Sequence, residues 1–470
     1  MSTNLIWVLI GLLVPFLVAA TNPLQDDIWW TLKLGELLAA GRSVAAEDVL
    51  TFPPHAAGYL NAQWLSQLWY YGISRTLGLE GVVLANAVQV TAAFGLVLHL
   101  AWQRCRDLRV AALCTLAGSM AAATNLNPRA QTVGLLLFAG NLWLLHARGR
   151  GLWRLPALAA LAALWANVHG SFWLAPLLAL LAMPGGRVRF LALAVGLECL
   201  AFVANPHGLE IIRYVGSVVT NPTIRSAITE WQPPTVGELS TGAFFASLAF
   251  TALLTLRGRS PIRVPDLLLI AAFAILGLLA VRNLVWWGVA IPPIWAGSIT
   301  AAPAVRPEWP GRRQYHYVNA AFTLLLAAFM VGCLPWVKAH NPLLPAARRA
   351  LIAEDQPVGA ADHLAAQGLL PSRIFAFQPW AGYLEWRLWP DHQLMVDGRI
   401  ELRPGSVWED YALASAGDLS WQARLDKYGI SVLVISRRAQ GELLGRVEQT
   451  PGWTRLYEDA LAAIYSRSAS

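Results

Sequence analysis

The chain has 470 residues, 56% of them hydrophobic and 13% charged, with a formal net charge of +7. Soluble globular proteins carry about 25% charged residues. Half that share, together with 22 Trp and long apolar runs, excludes a soluble enzyme and a disordered chain and leaves a polytopic α-helical membrane protein.

Taken in chain order, eleven apolar segments approach the roughly 20 residues that a membrane helix needs. They are 4–20, 79–102, 110–124, 130–146, 153–167, 170–183, 190–204, 242–256, 266–281, 284–300 and 318–335. The first lacks a basic leader and a small-residue exit, so it reads as a retained helix. The pair 153–167 and 170–183 is short, and each half holds a proline (Pro156, Pro176), so it is either two spans or a helical hairpin that does not fully cross. Between the first two segments lies a long loop, 21–78. Its stretches 27–40 and 63–77 show Trp29, Trp30, Trp64, Trp69, Tyr70 and Tyr71 at helical spacing, which predicts helices lying in the headgroup layer.

The basic residues fall on alternate short loops: Arg104, Arg106 and Arg109; Arg148, Arg150 and Arg154; Arg187 and Arg189; Arg257, Arg259 and Arg263; Arg306, Arg312 and Arg313. The opposite short loops hold only Arg129 and Arg282. By the positive-inside rule the N-terminus is cytoplasmic, and the positive charge needs no nucleic-acid partner. Loops 21–78 and 205–241 and the region 336–470 then lie outside. The expected organisation is a transmembrane domain over 1–335 and an extracytoplasmic α/β domain over 336–470. In the latter, apolar runs at 373–377, 393–396, 431–436, 453–458 and 461–466 alternate with helical patterns at 357–367, 405–416, 419–428 and 437–448. Four Cys (Cys105, Cys114, Cys199, Cys333) at no metal-ligand spacing argue against a disulfide framework, a CxxC pair or a c-type haem.

The short polar motifs gather on the outer parity. They are Asp26-Asp27-Ile28-Trp29-Trp30, Asn127-Pro128-Arg129, Asn167-Val168-His169-Gly170, Asn205-Pro206-His207-Gly208, Thr229-Glu230-Trp231 and Arg282-Asn283. Ionisable residues gathered at one membrane face read as a site; Asn-Pro and Asn-x-x-Gly also serve simply to end helices. Asp26 and Asp27 are candidate general bases toward an acceptor hydroxyl, or caps of the following helix. Arg129, Arg282, His169 and His207 are candidate phosphate ligands, because a guanidinium presents a fork that matches phosphate oxygens. Glu198, inside an apolar segment, is expected to face the bundle interior. In the C-terminal region, Trp380-Ala381-Gly382-Tyr383-Leu384 and Val396-Asp397-Gly398-Arg399 stand out, with Asp397 and Arg399 either pairing with each other or gripping a ligand.

The run 26–35, Gln63-Trp64-Leu65-Ser66-Gln67, Asn127-Pro128-Arg129, Asn167-Val168-His169-Gly170, Asn205-Pro206-His207-Gly208, Glu230-Trp231 and Asp397-Gly398-Arg399 resemble a group of bacterial multispanning proteins of the GT-C glycosyltransferase superfamily, over most of the chain and in order. The resemblance implies a GT-C-like fold of about 11 transmembrane helices in the bacterial cytoplasmic membrane. It also implies a transferase that moves a sugar from a polyprenyl-phosphate donor to an envelope glycan, lipid or protein acceptor at the outer face. In such enzymes a carboxylate of the first outer loop is catalytic, and the matching position is Asp27, with Asp26 beside it. Asn167, His207, Glu230, Arg129 and His169 fall at motif positions expected to meet the lipid phosphate or substrate, and Arg282 is a further candidate from its own chemistry. Asp397, Arg399 and Tyr383 are the C-terminal candidates. The family often places a second acid two residues earlier; here that position is Gln25, so no obligatory divalent metal and no other cofactor is expected. A lipid-linked-sugar transporter would need polar residues on both faces, and a non-catalytic scaffold of a polysaccharide assembly would not need Asp27.

Overall fold

The computed structural model describes residues 3–43, 47–52, 60–146, 151–257, 262–300, 316–367 and 372–467. Arg148, Arg150, Arg259, Arg306, Arg312 and Arg313 of the charge pattern lie outside them. The chain forms two compact units. One comprises Met1–Pro23, Ile73–Ile211 and Ile228–Leu351; the other comprises Leu24–Gly72, Ile212–Ala227 and Ile352–Ser470.

The first unit is helical. Each of the eleven apolar segments is helical over most of its length, from Thr3–Thr21 to His316–Gly332. Among the described residues, three helices are long and apolar enough to cross a membrane, Asn4–Thr21, Trp64–Cys105 and Leu239–Leu256; Ala130–His146, Arg154–Ala166, Gly170–Gly185, Val264–Leu279 and Tyr317–Gly332 are shorter. The pair that was ambiguous in sequence forms helices of 13 residues (Arg154–Ala166) and 9 residues (Leu174–Ala182) around a 3-10 turn, Gly170–Trp173. At 1.5 Å per residue each is about 20 Å or less, short of a hydrocarbon layer of ~30 Å.

The helices of this unit carry polar atoms inward and apolar side chains outward, as lipid demands. Leu200, Leu253, Leu256, Phe322, Leu324 and Leu325 are exposed. Inside, Trp287 donates its indole N–H to Ser247 Oγ and Trp295 to Thr251 Oγ1, each at 2.8 Å. Asn86, inside Trp64–Cys105, donates to the carbonyls of Ala19 and Leu126, so one amide ties its helix to the C-terminal ends of two others. Glu198 is fully buried against Asn141, whose amide donates to Glu198 Oε1 at 2.6 Å. Close approach is set by small residues: a Cβ on Gly118 or Gly288 would lie 2.5 Å from the other residue's carbonyl oxygen.

The second unit is built on a five-stranded sheet: β1 (Ser372–Ala376), β2 (His392–Leu394), β3 (Val432–Ser436), β4 (Trp453–Glu458) and β5 (Ala462–Arg467), in the order β2-β1-β3-β5-β4. β1 runs parallel to β2 and β3, whereas β5 is antiparallel to β3 and β4. β3 is buried along its whole length, and its sequence Val-Leu-Val-Ile is the continuous apolar run expected of a central strand covered on both faces.

This unit is not the contiguous domain 336–470 that composition implies. It starts at Ile352 and recruits two earlier stretches of chain. Leu24 pairs with Ile352, and Thr51 pairs with Leu394 at the β2 edge, where Phe52 N–H reaches Leu394 O and Leu394 N–H reaches Leu50 O. The helix Ile28–Ala39 packs on Ala381–Leu388, with Trp29 against Tyr383 edge-on at 4.9 Å and against Trp386 at 4.9 Å. That corrects the headgroup-layer assignment for this stretch: Trp29 and Trp30 are core residues, 0% and 5% exposed. An aromatic stripe at helical spacing serves a protein core as well as an interface. Trp69, 50% exposed, does face outward. The stretch 63–77 continues into 79–102 through Gly78, whose φ of +71° breaks the helix and is a conformation glycine reaches without a Cβ penalty.

Candidate functional site: a cationic cluster and a braced carboxylate

In the helical unit, four of the polar motifs converge. Arg129, at the start of Ala130–His146, directs one guanidinium nitrogen to both oxygens of Glu230 at 3.1 and 3.0 Å and the other to Asn125 Oδ1 at 2.6 Å. Glu230 is held by a 3-10 turn, Thr229–Trp231. That turn meets a second one, Val281–Asn283, through the bond from Val281 N–H to Gln232 O. Asn125 donates to Val281 O at 3.0 Å and Gln131 donates to Arg282 O at 3.1 Å, which fixes the second turn against the Arg129 segment. Arg282 then lies over the Trp231 ring, 4.2 Å from its centroid.

His169 belongs to the same cluster. Its Nδ1 accepts the Ser171 backbone N–H at 3.2 Å and faces Ser171 Oγ at 2.7 Å; that hydroxyl also accepts the Trp165 indole N–H. An accepting Nδ1 places the ring proton on Nε2. Burial, then Arg282 and Arg129, hold the imidazole well below the usual histidine range, so the ring is neutral near pH 7 and offers one N–H donor. Burial alone would raise the Glu230 carboxyl, but Arg129 and Arg282 hold it below its ordinary value, so it is an anion. Two guanidinium groups, one carboxylate and a neutral N–H donor leave the locus one positive charge in excess. Such a locus suits an anion with several oxygens.

Asn167 and His207 take different places. Asn167 donates its amide to the carbonyls of Ala163 and Ala204, and Asn205 donates to Ala166 O, so the two asparagines tie neighbouring helix ends together. His207 follows an Asx turn in which its N–H donates to Asn205 Oδ1. Asn125, which sequence inspection passes over, is a partner of Arg129; its one signal is its position four residues earlier, one helical turn away.

Asp26 and Asp27 lie in the other unit, ahead of Ile28–Ala39. Asp26 is exposed and has a left-handed backbone, φ +56°, which Asp tolerates better than most residues. Asp27 stands at the N-cap but its side chain makes no cap bond; instead its Oδ1 accepts the Trp30 indole N–H at 3.2 Å. The Trp30 ring in turn lies under the Arg399 guanidinium, 5.7 Å from the centroid. Arg399 is clamped: its Nε donates to Asp397 Oδ2 at 2.8 Å, a second nitrogen pairs with the same carboxylate, and a third donates to Asp48 Oδ1 at 2.7 Å. Asp48 also accepts from the Thr51 backbone N–H and hydroxyl. Asp397 and Arg399 therefore pair with each other, and Tyr383, fully buried, packs on Trp29 and accepts from Arg387. Asp48, the partner in the first loop, sits in no motif that sequence would single out.

Glu385 borders this ion cluster and is fully buried. Burial and the Asp397 carboxylate push its acid well above the ordinary range, against the pull of Arg399. Glu401 is also raised by burial, and its Oε1 accepts the Tyr214 hydroxyl at 2.9 Å. Among the described residues no three His, Cys, Asp or Glu side chains come together as a metal site would require.

The fold has solved counterparts. The chain superposes on ArnT from Cupriavidus metallidurans, in the apo state, with a TM-score of 0.55 and 15% identity over 98% of this chain and 97% of that one. It superposes on the same protein bound to undecaprenyl phosphate with a TM-score of 0.52 and 17% identity over 99% and 98%. The archaeal oligosaccharyltransferase AglB from Archaeoglobus fulgidus, solved with an inhibitory peptide and a dolichol-phosphate, matches at 0.54 and 12% identity over 98% of this chain and 74% of that one. The fold is GT-C-like. The mycobacterial arabinofuranosyltransferase AftD matches over all of this chain but 42% of its own length, at 0.54 and 16% identity. No protein-family model matches the sequence, and no curated protein does.

Proposed function

We propose that this GT-C-like chain is a membrane glycosyltransferase that moves a hexosyl or pentosyl unit from a polyprenyl-phosphate donor to an envelope glycan, lipid or protein acceptor at the outer face of the bacterial cytoplasmic membrane. The observation that carries the reading is the convergence of Arg129, Arg282 and the neutral His169 in a fold whose solved counterparts include proteins bound to dolichol-phosphate and undecaprenyl phosphate.

In this reading the acceptor oxygen bonds to the anomeric carbon as the bond from that carbon to the phosphate oxygen breaks, through an oxocarbenium-like state. Asp27 takes the acceptor proton. Arg129, Arg282 and His169 Nε2–H stabilise the charge that collects on the departing lipid phosphate. Glu230 holds Arg129 in orientation before the donor arrives. In this reading no step is routed through a metal, and addition of EDTA is expected to leave turnover unchanged.

The test is a nanodisc assay with a panel of radiolabelled polyprenyl-phosphate sugars. The intact chain should bind one donor saturably and release lipid phosphate when acceptor is present. Asp27→Asn should bind that donor and release none. Full turnover in Asp27→Asn would show that the base lies elsewhere, and binding with transport but no release in the intact chain would replace the transferase by a transporter.

A further inference from the structure

The reading of Asp27 as base leaves open what aims it, and the second unit supplies an answer that rests on that reading. We propose that Trp30 and Gly398 are positioning residues for Asp27, with Arg399 holding the Trp30 indole in place.

Three observations combine. The Trp30 indole N–H is within hydrogen-bond distance of one carboxylate oxygen of Asp27, 3.2 Å from Oδ1. A donor fixed to one oxygen sets the carboxylate plane and directs the other oxygen's lone pairs to a proton. Gly398 supplies the space: a Cβ there would stand 3.1 Å from Asp27 Oδ1 and 3.5 Å from Trp30 Nε1, against the two atoms of that bond. The backbone at Gly398 is not left-handed, so a side chain there would press on the Asp27 carboxylate by proximity and not through backbone conformation. Finally, Trp30 cannot swing freely, because Arg399 lies over its ring and is itself pinned by Asp48 and Asp397, with 3% of its side chain exposed. The Asp-Gly-Arg sequence thus acts as one device: the acid fixes the arginine, the arginine holds the indole, and the glycine admits the carboxylate.

Trp29 provides a matched control. It is the neighbouring residue on the same helix and is equally buried, but its indole nitrogen has no hydrogen-bond partner among the described residues. Truncation of either Trp to Phe removes the same atoms.

The experiment uses the full chain in nanodiscs, as Trp30→Phe, Gly398→Ala, Trp29→Phe and Asp27→Asn. The first readout needs no donor: carbodiimide with glycine ethyl ester, followed by mass spectrometry of the peptide carrying Asp26 and Asp27. Loss of the indole donor removes a hydrogen bond to the charged carboxylate, which favours its reactive protonated form. Labelling of Asp27 relative to exposed Asp26 should rise severalfold in Trp30→Phe and Gly398→Ala and stay at the native level in Trp29→Phe. The second readout is turnover with the donor found by the nanodisc panel. A carboxylate misaimed by a fraction of an ångström should lower kcat about tenfold or more with the donor KM unchanged, again in Trp30→Phe and Gly398→Ala but not in Trp29→Phe. Equal labelling in all three variants, or equal loss of kcat in Trp29→Phe, overturns the positioning role. Unimpaired turnover in Asp27→Asn is a different failure: it removes the base assignment and the inference with it. If Gly398→Ala misfolds, the comparison of Trp30→Phe with Trp29→Phe decides alone.

Discussion

At the scale of single residues, charge balance explains which groups can ionise. Around Asp397 the two anions Asp48 and Asp397 face the two cations Arg399 and Arg403, the latter 3.9 Å from Asp48. That set is neutral, so nothing remains to offset a charge on Glu385, whose two oxygens have no hydrogen-bond partner among the described residues. A lone buried carboxylate is far more costly than its neutral acid, and its acid is accordingly held well above the ordinary range. The sign of the linkage follows. The folded chain binds the Glu385 proton more tightly than the unfolded chain, so this contribution to stability is full below the ordinary carboxylate value and lost as pH rises through the raised one. Glu385→Gln cannot ionise. Its thermal midpoint is expected to match or exceed that of the native chain at pH 8, with a flatter decline between pH 5 and pH 8. Parallel pH profiles for the two proteins would show that Glu385 keeps the same protonation in both states. In the helical unit the balance runs the other way: Arg129, Arg282 and Glu230 leave one cation in excess beside a neutral His169.

At the scale of elements, the cationic cluster depends on how closely helices approach. Leu284–Ala290 begins one residue after the 3-10 turn that carries Arg282, and it crosses Leu108–Ala122 at Gly288 and Gly118. A methyl added at Gly288 would lie 2.5 Å from Gly118 O and 2.9 Å from Ala122 Cβ, so the helix must move. Overpacking of this kind costs about 1–3 kcal/mol. Gly288→Ala is expected to lower the thermal midpoint in detergent by several degrees and to weaken binding of the polyprenyl-phosphate donor, because the shift carries Arg282 with it. Unchanged affinity at a lowered midpoint would mean that the turn is held by Asn125 and Gln131 alone. The helical segments themselves were legible from hydropathy, as was each of the five strands to within a few residues. What the pattern missed were elements whose composition serves two ends. Trp380-Ala381-Gly382-Tyr383-Leu384 reads as a motif and is the first turns of a helix, Ala381–Leu388, and Trp29-Trp30 reads as interfacial and is core. Periodicity says which residues share a face and not what that face meets.

At the scale of the molecule, the same limit governs the domain boundary. The composition change near residue 336 marks where apolar spans stop, but the sheet-containing unit is completed by 24–72 and 212–227. Three of its internal ties reach back to the first loop: Thr51 to Leu394 at the sheet edge, Asp48 to Arg399 in the ion cluster, and Trp29 to Tyr383 in the core. A fourth reaches from Tyr214 to Glu401. None carries a local signal of its pairing, because nothing beside either residue in the sequence names its partner. Their loss has a measurable consequence. A fragment of residues 352–470 would keep all five strands, yet leave β2 an open edge, expose the Tyr383 face and strip Arg399 of one of its two carboxylates. Removing one partner of a buried ion pair costs about 3–5 kcal/mol, a large share of the ~5–15 kcal/mol that holds a domain together. The fragment is therefore expected to retain far-ultraviolet dichroism from its helices and strands but to lose near-ultraviolet dichroism, to bind a hydrophobic dye, and to associate through the β2 edge. Joining 24–72 to its N-terminus through a flexible linker should restore the near-ultraviolet signal, and Asp48→Asn in that fusion should remove much of the gain. A monomeric 352–470 with a sharp melting transition would show that the sheet and its helices are sufficient, and that the first loop is an addition to a finished domain.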